Sequence, residues 1–534
     1  MAQVLKLPAS SKLITVVDLL LFFAFTLLTL YIRLRYLNMP LERDEGEYAY
    51  AGQQLANGYA PFENAYNMKF PGTYYVFAFL FSLFRDSVLT IRIGFLIVHL
   101  LNTYFVFLIS KNLMKNTRPA IFSACIYILL NSSFSSAGLL AKAEPLVVLF
   151  SLAGIFTILI ANQSVKNKNI LFLMSGILMG LAVLMKQNGI FFCIAGFAYI
   201  VFKNRLWLKH SILYGAGFSI PLILLLLVLL AGHTLDQFYY FAILYASEYS
   251  KQVNLHLGIY LFRKEFQKHL EHNLPAFLVS GAALITLFFS LVKTRKHFPL
   301  IIFFICSFLA ISSGFYFRPH YFLLVYPAIS IISGWLLFLI VKLSSKYLSF
   351  FPDIALSIML IFFVVVQTDF IFKDDSKTNL RKMFPWLPFY ECKEIGENIK
   401  KITGESATIG MIGSEPQIAF YAQRQLSSGF MYIYPMLEDQ KYSIEMVNLF
   451  LSEIEEKDPE IFIYSTIGAN AANKVTGKLI EDWWAVFGKD YTLYENITAY
   501  SDDGVKYLRA DSVNYQFDHW VSYIKVYRRN DLNN

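Results

Sequence analysis

Apolar stretches of helix-spanning length recur along the first 371 residues: 14–36, 87–110, 120–140, 145–162, 170–185, 189–203, 211–231, 274–292, 298–316, 321–341 and 349–371. A bilayer is crossed once by a run of about 17–25 such residues, so the pattern predicts about 11 transmembrane helices, with a range of about 11–13 because 170–185 and 189–203 are short. Apolar positions do not alternate with period two, which excludes a membrane β-barrel. The first run ends in Ile32-Arg33-Leu34-Arg35 without a small-residue cleavage site and reads as a retained span, not a removed signal peptide.

Two long polar interruptions stand out. Within 37–86 the pattern predicts one surface helix from near Asp44 to Asn57-Gly58 and a second, almost wholly apolar, from Tyr74 to Phe84. The second is too short to span and suits the membrane interface. Residues 232–273 are aromatic and mixed in charge, and suit an interfacial segment as well. After Ile371 the chain changes character. A linker over 372–389 is charged and then proline-bearing, and 390–534 reads as a soluble α/β domain. Its expected strands are Ala407–Ile412, Pro459–Tyr464 and Tyr515–Tyr527, and Ser414 is the expected cap of a helix opening at Pro416.

Composition agrees: 56% of residues are hydrophobic and 16% charged, so the fold class is a polytopic α-helical membrane protein with a C-terminal α/β domain. The formal charge of +8 concentrates in alternate short loops: Lys111, Lys115 and Arg118; Lys166 and Lys168; Lys203, Arg205 and Lys209; Lys293, Arg295 and Lys296; Lys342 and Lys346. That is a topology signal and not a nucleic-acid footprint. These loops are expected to be cytoplasmic, and Lys6 and Lys12 put the N-terminus with them. Arg33 and Arg35 break the rule and are expected to snorkel or meet anionic headgroups. The odd crossing count puts 390–534 outside. The four cysteines show no paired spacing, so neither a disulfide framework nor a zinc motif is implied.

The loops on the external side carry the unusual chemistry. Asp44 and Glu45 open the first surface helix: Asp44 suits a general base beside a membrane, and Glu45 could orient it or bind a cation. Asp44 could instead only cap that helix. Lys69, in Asn67-Met68-Lys69-Phe70-Pro71-Gly72, could hold a phosphate or merely snorkel. Lys142 and Glu144 could pair with each other, and Lys186-Gln187 reads similarly. Arg318-Pro319-His320-Tyr321 offers a phosphate grip and a proton shuttle, or an interface anchor. Arg92 and His99 share one face of the second span, where charge is costly and points to function. Walker, dinucleotide, GxSxG, HExxH and CxxC motifs are absent.

Taken in order, Asp44-Glu45, Lys69-Phe-Pro-Gly72, Ala143-Glu-Pro-Leu146, Gly180-Leu-Ala-Val-Leu-Met-Lys186 and Arg318-Pro-His-Tyr-Phe-Leu-Leu-Val-Tyr-Pro327 resemble the GT-C glycosyltransferases, in particular bacterial relatives of protein O-mannosyltransferases and lipid A aminoarabinose transferases. The resemblance spans essentially the whole chain. It implies a catalytic membrane module over 1–371 and an external domain over 390–534, in a bacterial plasma (inner) membrane. It implies a polyprenyl-phosphate-linked sugar donor and a lipid, glycan or protein acceptor, with Asp44 at the catalytic centre and Glu45 beside it. It assigns donor-phosphate or substrate contact to Lys69, Glu144, Lys186, Arg318, His320 and Tyr321. The family often reads Lys-Pro-Pro where this chain has Lys-Phe-Pro, and Asp where it has Glu144. No cofactor is required, and the acidic cluster permits a divalent cation without demanding one. Two other readings stand beside this one: a transporter or lipid flippase, which should show repeated halves or broken midplane helices, and a scaffold displaying the C-terminal domain.

Overall fold

The computed structural model describes residues 9–293, 297–343, 349–385, 387–466, 473–499, 507–509 and 522–532. Helices α1 (Ala9–Arg35), α2 (Arg43–Ala56), α3 (Gly72–Leu83), α4 (Val88–Met114), α5 (Thr117–Ser132), α6 (Ala143–Ala161), α7 (Lys168–Met185), α8 (Ile190–Lys203) and α9 (Trp207–Ala231) come first. Helices Leu255–Lys293, Phe298–Ser312, Tyr326–Leu343 and Phe351–Val366 follow. Among the described residues eight helices are long and apolar enough to cross a membrane, and three more, Gly72–Leu83, Gln187–Lys203 and Phe351–Val366, are apolar but shorter. The protein is therefore built as a multi-pass membrane protein.

Every expected span contains a helix, but several differ in extent: 298–316 is α-helical only to Ser312, 321–341 opens on a 3-10 turn ending at Leu324, and 349–371 is α-helical over Phe351–Val366. The stretch expected as 120–140 is helical only to Ser132; Phe134–Ser136 is a 3-10 turn and Ala137 takes φ 50°. The apolar run masks this because Asn131, Ser132 and Ser133 interrupt it with side chains that seek partners. The stretch expected as 274–292 belongs to a helix starting at Leu255, kinked at Asn273, where Pro275 follows and Asn273 leaves helical geometry (φ −140°).

The chain divides into two compact units, one of residues 1–37, 92–225 and 253–374 and the other of 38–91, 226–252 and 375–534. Most of the first polar loop and the part of 232–273 through Gln252 thus fold with the C-terminal portion, where sequence order had grouped them with the membrane module.

In the first unit several buried polar groups find partners inside the protein. Arg33 does not snorkel: it donates from Nη2 to Asn131 Oδ1 (2.9 Å) and to the Gly138 carbonyl (2.8 Å). Asn131 Oδ1 also lies 2.9 Å from His99 Nδ1, and His99 Nε2 lies 3.2 Å from Thr29 Oγ1. Arg35 donates to the Asp374 carbonyl (2.8 Å). Inside an apolar bundle such groups need internal acceptors, which here outcompete the membrane surface. His99 is thereby engaged in packing, and Arg92 is buried too. Near the loop expected to be cytoplasmic, Arg118 bridges Asp18 (3.0 Å) and Asp353 (2.6 Å).

The second unit contains a six-stranded mixed sheet, β1 (Thr408–Ile412), β2 (Gln425–Leu426), β3 (Ile461–Ser465), β4 (Tyr491–Ala499), β5 (Tyr507–Arg509) and β6 (Ser522–Arg529), in the order β2-β1-β3-β6-β4-β5. β1 pairs in parallel with β2 and β3, whereas β6 runs antiparallel between β3 and β4. The first two expected strands lie on β1 and β3 and the third overlaps β6; residues 515–521 lie outside the described residues. Ser414 does not cap the helix that follows it. Pro416 is the N-cap of helix Gln417–Ala422 without a side-chain bond, while Ser414 Oγ accepts from the Ile433 amide (3.2 Å).

Helix α2 ends where Asn57-Gly58 predicted, with Gly58 at φ +95°, a conformation that glycine adopts without strain. Gly46 in the same helix allows helix Gln417–Ala422 to approach. A Cβ there would sit 2.5 Å from Gln417 Cβ. Gly46→Ala is expected to cost about 1–3 kcal/mol through overpacking, read as a lower thermal unfolding temperature of the purified protein in detergent.

Candidate active site

The expected site residues fall into two groups, one in each unit. In the second unit, α2 begins with a capping box: Glu42 accepts from the Glu45 amide (2.8 Å), and Glu45 Oε2 accepts from the Glu42 amide (3.2 Å). Glu42, and not Asp44, is the N-cap. Two consequences follow. Glu45 is fully buried and spends its carboxylate on the helix start. Asp44, in the first turn, does not serve as the cap, and its side chain is 31% exposed.

Asp44 and Glu47 are three apart on α2, hence on one face. Lys69 Nζ meets both: Glu47 Oε2 at 2.7 Å and Asp44 Oδ1 at 3.5 Å, with Tyr48 Oη at 3.2 Å. Glu47 is the hub. It is fully buried, and its oxygens also accept from Tyr74 Oη on α3 (2.7 Å) and Tyr432 Oη (2.6 Å). Burial alone would lower the Lys69 ammonium, but Asp44 and then Glu47 outweigh it and hold its pKa well above the usual lysine range. Burial, then the Glu47 and Asp44 charges, push the Tyr432 phenol well above the usual tyrosine range, so it remains a donor. Next to this cluster, Arg43 pairs with buried Glu415 (3.1 Å) and donates to the Ser414 carbonyl (2.7 Å). Two carboxylates share one ammonium at Lys69, leaving the cluster net negative.

The first unit holds the other group. Glu144 lies in the first turn of α6, where the helix dipole favours an acid. It is fully buried and pairs with Lys186 Nζ, which ends α7, at 2.5 Å. His320 Nε2 stands 3.9 Å from the same Glu144 oxygen. The Lys186 ammonium also lies 4.2 Å from the centre of the Tyr321 ring, and the exposed Arg318 guanidinium lies 5.6 Å from that of Tyr316. Lys186 and Arg318 against Glu144 leave this group net positive. Glu144 is thus shared among Lys186 and His320 rather than held by Lys142 alone.

Asp44, Lys69, Glu144, Lys186 and Arg318 were visible to sequence reasoning as residue types. Glu47 as the hub was not, although its spacing from Asp44 on α2 was a usable signal. Tyr432 carried none, since 385 positions separate it from Glu47. Among the described residues no three His, Cys, Asp or Glu side chains are grouped so as to hold a metal ion.

Residues 68–230 match the family model of dolichyl-phosphate-mannose-protein mannosyltransferases. The crystal structure of ArnT from Cupriavidus metallidurans bound to undecaprenyl phosphate is similar with a TM-score of 0.57 and 14% identity, over 97% of this chain and 98% of that one. The archaeal oligosaccharyltransferase AglB from Archaeoglobus fulgidus, in complex with an inhibitory peptide and a dolichol-phosphate, gives 0.55 and 12%, over 93% of this chain and 74% of that one. A search of curated proteins finds no match. At these identities the likeness to ArnT and AglB is one of fold.

Proposed function

We propose that the protein is a membrane glycosyltransferase that moves a sugar from a polyprenyl-phosphate-linked donor to an envelope acceptor, on the extracytoplasmic face of a bacterial inner membrane. The observation that carries the reading is Asp44: a partly exposed carboxylate, not used as the helix cap, beside a lysine that a buried glutamate holds in place. The acceptor hydroxyl attacks the anomeric carbon and loses its proton to Asp44. The bond between that carbon and the phosphate oxygen breaks, and the electron pair leaves on polyprenyl phosphate. One displacement inverts the anomeric centre.

Each group has a part in this step. Lys69 stands 3.5 Å from Asp44 and lends positive charge towards the phosphate. Glu45 orients Asp44 by fixing the first turn of α2. The resemblance assigns donor-phosphate contact to Lys186 and Arg318, whose positive charge suits charge developing on a leaving phosphate; within their own unit Glu144 pairs with Lys186, His320 stands beside Glu144, and Tyr321 provides the face on which the Lys186 ammonium rests. The donor's tail asks for a membrane-embedded protein, which the eight apolar helices supply. Protein groups carry every movement of charge written here; activity measured with and without a chelator reports whether a divalent ion adds to it.

The decisive assay is release of polyprenyl phosphate from a polyprenyl-phosphate sugar by purified protein in detergent. A transferase converts donor when acceptor is added; a transporter or flippase yields no product without a compartment. Arg318→Gln is expected to raise the KM for donor by about tenfold, consistent with loss of roughly 1.4 kcal/mol, with a smaller change in kcat. A donor KM equal to wild type would remove Arg318 from the phosphate site.

A further inference from the structure

The turn that delivers Arg318 is strained, and the helix packed behind it holds the strain in place. Gly314, Phe315 and Phe317 all take positive φ, at 70°, 59° and 42°. Glycine adopts this region freely, but a bulky L-residue does so only where surrounding contacts impose it. Arg318 follows at once. It is extended (φ −63°, ψ 151°), the conformation that Pro319 favours in the residue before it. Its guanidinium lies 5.6 Å from the centre of the Tyr316 ring, inside the same segment. Where that guanidinium stands therefore depends on the backbone from Gly314 to Pro319.

The contacts that impose this backbone come from helix Leu255–Lys293, in the part ahead of its kink at Asn273. Gly258 faces Phe315. A Cβ at position 258 would sit 2.7 Å from Phe315 Cβ, so the approach exists only because the residue is glycine. Four residues on, the Phe262 ring meets the buried Phe317 ring at 5.1 Å, with planes at 64°, and stands 6.1 Å from Phe322. Seven further on, fully buried His269 packs on Phe322 at 4.2 Å, and its Nδ1 lies 2.9 Å from Tyr326 Oη. This spacing puts Gly258, Phe262 and His269 on one stripe of the helix. The stripe is anchored beyond its end, where Asn273 Nδ2 donates to Ser133 Oγ (2.9 Å). The segment that carries Arg318, His320 and Tyr321 is thus moulded on one helix face, at its start by Gly258 and Phe262 and at its end by His269.

Such moulding has a use. A turn relaxed to negative φ would let a long cation sweep many positions. An arginine already ordered by its backbone loses less freedom when a phosphate arrives, and binds it more tightly for that reason. We infer that Gly258 and Phe262 are positioning residues for Arg318: they hold Phe315 and Phe317 left-handed, so that the guanidinium is preset for an anionic phosphate. The inference rests on the donor-phosphate reading of Arg318, and both residues act through it.

The test is equilibrium binding of undecaprenyl phosphate to the full-length protein in detergent, with the unfolding temperature of each variant measured alongside. Arg318→Gln should raise the Kd about tenfold. Gly258→Ala, which drives a methyl into Phe315, should raise it about five- to tenfold, and Phe262→Leu, which removes the edge contact with Phe317, about threefold. Gly258→Ala combined with Arg318→Gln should bind no worse than Arg318→Gln alone, since residues acting through one group do not add. Adding Phe315→Gly to Gly258→Ala should return the Kd to within about threefold of wild type, because glycine makes room for the methyl and takes φ 59° without strain. In transfer, Gly258→Ala should raise the donor KM and leave kcat within about twofold. Should Gly258→Ala not fold, the same cycle run with Phe262→Leu decides. Wild-type affinity in Gly258→Ala and Phe262→Leu beside a weakened Arg318→Gln overturns the positioning role and leaves the phosphate reading standing. Multiplied losses in the double variant overturn it as well. Wild-type affinity in Arg318→Gln removes the phosphate reading, and the positioning role with it.

Discussion

Asp44→Asn is expected to lower sugar transfer by about 10²–10⁴-fold while leaving donor binding and expression near wild type, the range by which a positioned general base contributes. Glu42 caps α2 and Glu45 completes the box, so the fold of the helix does not depend on the Asp44 carboxylate. Asparagine keeps the shape and the side-chain oxygen that faces Lys69, and loses only the capacity to take a proton. The effect should therefore appear in kcat, with the donor KM within a factor of two or so of wild type. Full activity in this variant would strip Asp44 of its role. Equal losses in stability and activity would make it a structural residue after all.

The second large effect is expected at Glu47. Glu47→Ala removes the acceptor for Lys69, Tyr74 and Tyr432 together. Breaking a buried ion pair by deleting one partner typically costs about 3–5 kcal/mol, because the other charge is left uncompensated. The measured consequence should be a marked fall in unfolding temperature in detergent and in yield. Glu47→Gln separates structure from chemistry. It keeps one acceptor, so most of the stability should return, yet Lys69 is left with Asp44 as its remaining carboxylate partner in the cluster. Tyr432→Phe tests the long-range arm, removing a single hydroxyl; it should cost about 1–3 kcal/mol as the buried carboxylate loses a donor. If Glu47→Ala unfolded at the wild-type temperature, the hub would carry no weight in the fold.

How much of this could be seen in the chain beforehand varies by kind of signal. Spans such as α4, α6, α9 and Tyr326–Leu343 are legible because membrane helices are written as uninterrupted apolar runs. The end of α5 is marked only by a short polar interruption, Asn131 to Ser136, and one left-handed residue, Ala137, with apolar residues on either side that make it easy to bridge. β1 and β3 show as short buried runs, whereas β4 carries Thr492, Glu495 and Asn496 and reads as a mixed surface. Arg33 looked like a surface residue because its acceptors, Asn131 and Gly138, come from distant turns. The same limit governs the site. Asp44 and Lys69 are local chemistry in one polar loop and can be picked out by type. The union of that loop with Tyr432 and Glu415 is a tertiary event, and no spacing in the chain announces it.

The central claim is that the protein attaches a sugar to an envelope molecule, and mass spectrometry of envelope lipids, glycans and glycoproteins tests it most directly. Three strains are compared: one lacking the protein, one complemented with wild type, and one complemented with Asp44→Asn at equal expression. One envelope species is expected to lose the mass of a single glycosyl residue in the deletion strain, regain it with wild type, and not regain it with Asp44→Asn. Identical envelope glycan masses in all three strains would contradict that claim.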